Sequence, residues 1–202
     1  MSISERKTRE KQEMKALILN AAKDMFIQEG FEKTSLRKIA DKIEYSPTTI
    51  YLYYKDKTEI FHELMEIGFS ILLNRFSEDM KIVNPIDRLY ALGETYITFA
   101  LENSEYYDLM FITKNAMDKV HTADDWCSGK KTFMCLQNTV EDCIAQNQLK
   151  SKDPNTATLA FWAQVHGVVS LYIRDRMKMF PKESIKDIIY ASTSSIFEMI
   201  KK

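Results

Sequence analysis

The side chains best suited to recognition chemistry are concentrated between Thr34 and Phe61, in the run TSLRKIADKIEYSPTTIYLYYKDKTEIF. Thr34, Ser35, Ser46, Thr48 and Thr49 offer hydroxyls, Tyr51 and Tyr53 offer phenols, and Arg37 and Lys57 offer fixed positive charge. This is a set of hydrogen-bond donors and cations rather than a nucleophile with its base. Such groups suit a polyanion that also carries readable edges. Hydroxyl and ammonium groups hold phosphates, and short polar side chains approach the edges of bases. Pro47, Thr48 and Thr49 are small enough for that approach. Lys57 stands where a following helix begins, so its ammonium and the free backbone amides can meet one phosphate.

Those residues need elements to hold them, and apolar periodicity supplies these. From Glu10 to Gln28, Met14, Leu17, Ile18, Ala21, Ala22, Met25 and Phe26 recur at three and four, which marks one helical face; Gly30 ends it. Thr34 and Ser35 cap a short second helix carrying Leu36, Ile39, Ala40 and Ile43. Ser46-Pro47 opens a third helix through Tyr54, and Asp56-Lys57-Thr58-Glu59 reads as a capping box for a long fourth helix to about Met80. A positioning helix, a tight turn and a second helix that presents its N-terminal residues make a helix-turn-helix. Further helices start at Asn84-Pro85, at Ser104, at Thr122 to Asp125, at Asp153-Pro154 and at Ser184. The first four run to about Glu102, Phe111, Gln146 and Met179, and the last has Ile185, Ile188, Ile189, Ile196 and Met199 marking its buried side. The expected fold is all-α, with about nine helices. A helix-turn-helix DNA-binding domain is expected over 1–57 and a helical effector-binding and dimerisation domain over 58–202, the two sharing the long fourth helix.

Composition narrows the alternatives. Of 202 residues 45% are hydrophobic and 28% charged, with only five Gly and four Pro, which favours a folded helical chain over one rich in tight turns. Met1 to Thr58 holds 12 Lys+Arg against 9 Asp+Glu, a net of +3. The remainder holds 16 against 20, a net of −4. The basic end is therefore the one with the helix-turn-helix, although an excess this small does not by itself identify a partner. Arg6, Lys7, Arg9 and Lys11 read either as an N-terminal arm along a groove or as a frayed charged tail. No signal sequence is expected at the N-terminus, and Ala160 to Ile173 is too short and too polar for a membrane span. Cys127, Cys135 and Cys143 are an odd number at eight-residue spacing, which turns each about 80° from the last on a helix. They are expected to be inert buried thiols in a reducing cytoplasm. His62, His121 and His166 fall in separate segments and assemble no catalytic or metal-binding set, so neither an enzyme nor a cofactor or metal is expected.

The segment closely resembles the DNA-binding domain of the tetracycline-repressor (TetR/AcrR) family. The resemblance rests on Gly30-Phe31, Thr34, Ile39-Ala40, Ser46, the run Tyr51-Leu52-Tyr53-Tyr54, and Lys57 at the head of the fourth helix. It departs at Glu44, where that family commonly has a turn glycine, and at Tyr54, where Phe is usual; the apolar counterpart implies that Tyr54 packs inward. Phe161 to Leu171 resembles the Trp…His-Gly signature of one C-terminal subclass, with Trp162 and His166 one helical turn apart. The resemblance implies a transcriptional regulator, a repressor, that binds a palindromic operator in duplex DNA as a homodimer. It implies a small apolar effector bound in the C-terminal domain, for which Phe69, Tyr96, Met110, Phe111, Phe133, Trp162 and His166 are the candidates. It also implies dimerisation through the last two helices, where small residues at Ala191, Ser192, Ser194 and Ser195 permit a close neighbour. Gly167, inside a helix, suggests close approach of another backbone. The rival reading is a helical module that engages a protein partner and keeps the helix-turn-helix only as scaffold.

Overall fold

Most helices begin where the sequence offers a cap. The structure is a computed structural model that describes residues 2–113 and 127–202. Nine α-helices are found among them: α1 (Ile3–Gln28), α2 (Leu36–Lys42), α3 (Pro47–Tyr51), α4 (Lys57–Asp79), α5 (Pro85–Glu102), α6 (Ser104–Phe111), α7 (Cys127–Ala145), α8 (Pro154–Ile173) and α9 (Ile185–Ile200). Ser35, Ser46 and Asp153 each accept from a backbone N–H of the first helical turn. Pro47, Pro85 and Pro154 stand at the first helical position, where a missing N–H costs nothing. Asp56 caps α4 by accepting from the N–H groups of Thr58 and Glu59. The Glu59 carboxylate reaches back one residue further than expected, to the Lys55 N–H at 2.6 Å. The cap expected at Thr122 to Asp125 and the side chain of His121 lie outside the described residues.

Three boundaries differ from expectation, one of them at α3, which ends at Tyr51 with Leu52 as its C-cap rather than running through Tyr54. α1 starts at Ile3 rather than near Glu10, because Ser2 and Glu5 form a reciprocal capping box. Arg6 and Arg9 are therefore helical residues paired to Glu10 and Glu13, not part of a loose arm or tail. α8 stops at Ile173 rather than near Met179, and the reason is a left-handed residue, Asp175, at φ 53°. The N–H of Asp175 bonds to the Tyr172 carbonyl and that of Arg176 to the Leu171 carbonyl, a Schellman closure. Asn147 (φ 57°) closes α7 the same way, and Glu44 (φ 60°) closes α2. Only α1 uses glycine for this purpose, with Gly30 at φ 87°.

The described chain gathers into two compact units. One contains the residues up to Gly68 with the segment that begins at Glu105; the other contains Phe69–Ser104 and the described residues from Cys127 onward. In the first, Ile18, Ala22, Phe26, Ile39, Ala40, Ile50, Tyr54, Ile60, Phe61 and Leu64 form the core. Phe26, Phe31 and Phe61 meet as a ring trio with centroids 5.1–5.4 Å apart. Tyr54 is buried there, as the apolar residue usual at its place in the resemblance implied. In the second unit α5 packs on α7, α8 and α9, and Leu89, Leu92, Ile97, Val140, Phe161, Val165, Ile189 and Phe197 fill the middle. Arg88, 8% exposed, crosses that core. It donates to the Thr139 hydroxyl at 3.0 Å and the Ile82 carbonyl at 3.3 Å, and pairs with Asp142. No described helix is long and apolar enough to cross a membrane.

Candidate nucleic-acid interface and effector cluster

The turn between α2 and α3 is built by three bonds. The Glu44 N–H donates to the Asp41 carbonyl, the Tyr45 N–H to the Ala40 carbonyl at 3.0 Å, and Ser46 caps α3 at the Thr49 N–H. Glu44 thus adopts the left-handed backbone that a glycine would take more readily, a strain on the order of 1 kcal/mol. The turn keeps its shape in spite of the side chain. Helix α2 is anchored on α1 by Lys38 to Glu29 at 2.7 Å and Lys42 to Asp24 at 3.1 Å.

With that frame in place, Ser35, Arg37, Ser46, Thr48 and Tyr51 are exposed, and Pro47, Thr49 and Tyr53 are half-buried. The Thr49 and Ser46 hydroxyls lie 3.1 Å apart. Thr34 differs from this group. Its side chain is 2% exposed and its hydroxyl donates to the Gly30 carbonyl at 2.9 Å, so it closes the α1–α2 turn and is withheld from the surface. Lys57 is half-buried, and its ammonium donates to the carbonyls of Phe31 at 2.6 Å and Glu32 at 3.3 Å. It also lies 4.3 Å from the centre of the Phe31 ring. Sequence reasoning leaves out Tyr45, 44% exposed, and Leu52, 78% exposed. The available signal for Leu52 is its i,i+4 spacing from Thr48, which puts both on one helical face.

In the second unit Tyr96, Phe133, Trp162 and His166 come together. Phe133 meets Trp162 with ring centroids 6.1 Å apart, and Trp162 meets His166 at 6.3 Å. His166 Nδ1 is 3.2 Å from the Tyr96 hydroxyl and Nε2 is 3.3 Å from the Ser170 hydroxyl. Burial lowers the His166 pKa below the ordinary 6.5, which favours the neutral ring. Phe69 is buried in this unit's core. Met110 and Phe111 belong to the other unit. There Met110 is packed so tightly on Gly68 that a Cβ at that glycine would meet its sulfur at 2.5 Å, and Phe111 stacks on Tyr107 at 5.1 Å. Beyond its own stretch of helix backbone, no described atom lies within 4 Å of where a Cβ on Gly167 would stand, so the close backbone neighbour expected for it is not supplied by the described residues. Burial pushes the Cys143 thiol up to about 12 and raises Cys135 as well, but Cys127, expected to be buried like them, is exposed at the start of α7. Among the described residues no group of three His, Cys, Asp or Glu is placed to hold a metal ion.

A capped positioning helix, a left-handed turn and an exposed polar second helix, followed by a separate helical unit, define a helix-turn-helix protein with a C-terminal helical domain. The family models agree: "Bacterial regulatory proteins, tetR family" matches residues 18–64, and "Tetracyclin repressor-like, C-terminal domain" matches residues 89–189. The chain belongs to the tetracycline-repressor family. Among relatives, it is 27% identical over 105 residues to the uncharacterised HTH-type transcriptional regulator YobS of Bacillus subtilis, a match covering 52% of each chain. It is 39% identical over 66 residues to AcrR of Shigella flexneri, covering 32% of this chain and 31% of that one. It is 25% identical over 119 residues to QacR of Staphylococcus aureus, covering 55% and 63%. The chain thus spans about half the length of the first of these relatives and less than two thirds of any of the three. Two solved structures share the fold across most of both chains. PfmR of Thermus thermophilus gives a TM-score of 0.71 at 17% identity, covering 90% and 97%. AibR, solved with isovaleryl coenzyme A and operator DNA, gives 0.70 at 18%, covering 92% and 97%.

Proposed function

We propose that the protein is a ligand-responsive transcriptional repressor that binds a palindromic operator in duplex DNA as a homodimer and is released by a small apolar molecule bound in its C-terminal domain. The observation that carries this reading is the exposed edge of α2 and α3. Ser35, Arg37, Ser46, Thr48 and Tyr51 are presented to solvent on a turn held in shape against the preference of Glu44. In this scheme α3 enters the major groove, Pro47, Thr48 and Thr49 approach base edges, and Ser35, Arg37, Tyr51, Tyr53 and Lys57 hold phosphates. Lys57 keeps its two carbonyl bonds and turns its third N–H outward. Residues 1–57 form the DNA-binding domain and 58–202 the effector and dimer domain. The fold neighbour AibR, solved in complex with isovaleryl coenzyme A and operator DNA, supports a chain that answers to both a small molecule and DNA.

Dimerisation is assigned to α8 and α9. Helix α8 is apolar nearly all round, yet only Thr158, Phe161, Val165 and Val169 are buried by this chain. Leu159, Ala160, Ala163 and Leu171 face outward beside the open Gly167, and Met199 is exposed on α9. A second copy packed isologously on that face would cover them. The effector is assigned to Phe69, Tyr96, Phe133, Trp162 and His166 of the second unit. Binding there is proposed to favour an arrangement in which the two α3 helices no longer match consecutive major grooves, about 34 Å apart. The test is selection of genomic fragments by the purified chain, repeated with candidate effectors. Enrichment of inverted repeats that an effector abolishes is the expected outcome. Recovery of no sequence above background would refute the reading.

A further inference from the structure

Among the described residues of the first unit, Leu52 is the most exposed large hydrophobic side chain, at 78%, and it lies on the proposed operator surface. It is the C-cap residue of α3, with φ −70° and ψ −19°, so helical geometry continues through it. Thr48, exposed and four residues earlier, therefore lies on the same face, about 6 Å back along the helix axis. Tyr51 flanks it at 60% exposure.

We propose that Leu52 reads a thymine methyl group in the operator, an inference that rests on the DNA-binding reading above. An isobutyl group can neither donate to a phosphate nor bond to a base edge. Set against sugar-phosphate, it would only strip water from charged oxygens. In the major groove one base carries an apolar group on its edge, and that is thymine, through its C5 methyl. Removing both surfaces from water supplies the affinity, and the methyl's absence from the other three bases supplies the discrimination. The rise between Thr48 and Leu52 corresponds to roughly two base steps of about 3.4 Å, so the thymine lies about two steps along the groove from the base that Thr48 approaches. Leu52 is thus a specificity determinant distinct from the hydroxyl-bearing residues.

The experiment uses the full chain and a genomic fragment that it selects, with each thymine replaced in turn by deoxyuridine, which pairs identically and lacks only the methyl. For the unaltered protein, one symmetry-related thymine per half-site should be sensitive. The loss is about fourfold for one substitution and about fifteenfold when both half-sites carry it, the value of one buried methyl each. Leu52→Ala should bind the natural fragment more weakly and be indifferent to uracil at that position. Uracil tolerated at every thymine, or full uracil sensitivity retained by Leu52→Ala, would overturn the proposal while leaving DNA binding intact. A chain that selects no fragment would overturn the DNA-binding reading, and this inference with it.

Discussion

Replacing Lys57 by Met keeps the aliphatic stem but removes the ammonium that ties the start of α4 to the α1–α2 turn. The group lost makes two charge-assisted hydrogen bonds, to Phe31 O at 2.6 Å and Glu32 O at 3.3 Å, and sits over the Phe31 ring. Hydrogen bonds from a charged donor are worth about 1.5–3 kcal/mol each when shielded, and a partly exposed cation–π contact adds about 0.5–1 kcal/mol. Glu32 is exposed and Phe31 half-buried, so water recovers part of what the carbonyls lose. The net expectation is about 2 kcal/mol, located in the first unit. Native-state hydrogen exchange measures it where it falls. Amides that close the ends of α2 and α3, such as those of Tyr45 and Tyr54, should exchange about thirtyfold faster in Lys57→Met. Amides of α5 and α8 should be unchanged. Less than a threefold change in the first unit would mean that the carbonyl bonds contribute nothing and that Lys57 is only a surface charge.

Three further outcomes are expected. Glu44→Gly should be neutral or stabilise by up to about 1 kcal/mol, and Glu44→Val should destabilise by about 1 kcal/mol or more, because φ is 60° at this position; thermal unfolding of the two variants distinguishes them, and a destabilising Gly would contradict the turn geometry. Burial lowers the His166 pKa in the folded chain, so the unfolded chain takes up the proton first as pH falls below about 6.5. His166 therefore favours folding above that pH and loses this contribution as pH falls toward the depressed folded value. Urea midpoints at pH 7.5 and 5.5 should differ more for the native chain than for His166→Gln, and equal differences would refute the assignment. With its thiol pushed up to about 12, Cys143 should resist alkylation at pH 8 until the chain unfolds, whereas exposed Cys127 should label promptly; prompt labelling of Cys143 on peptide mapping would contradict its burial.

Most helix starts and ends were legible in the sequence; the exceptions are the start of α1 and the ends of α3 and α8. Proline at positions 47, 85 and 154 and hydroxyl or carboxylate caps at Ser35, Ser46 and Asp153 act locally, so the residues reveal them. α2, α7 and α8 close instead on left-handed Glu44, Asn147 and Asp175, two of which carry charge and none of which is glycine. That is why α8 read too long. The helix-turn-helix could be recognised because its function needs small polar residues at fixed spacing, but the use each residue makes of its side chain depends on distant partners. Thr34 turns its hydroxyl inward to Gly30, and Lys57 spends two donors on carbonyls more than twenty residues away. The i,i+4 spacing of Trp162 and His166 placed them together. Joining them to Tyr96 and Phe133 required the packing of α5, α7 and α8.

The central claim is that two copies of the chain clasp duplex DNA through phosphate-holding cations. The most direct test titrates a selected fragment across a range of salt concentrations while the number of chains bound is measured by sedimentation. With Arg37 and Lys57 each neutralising one phosphate per copy, two chains per fragment should give a plot of log affinity against log salt with a slope of about −3.6 or steeper. A salt-independent affinity, or a complex containing a single chain, would contradict the account.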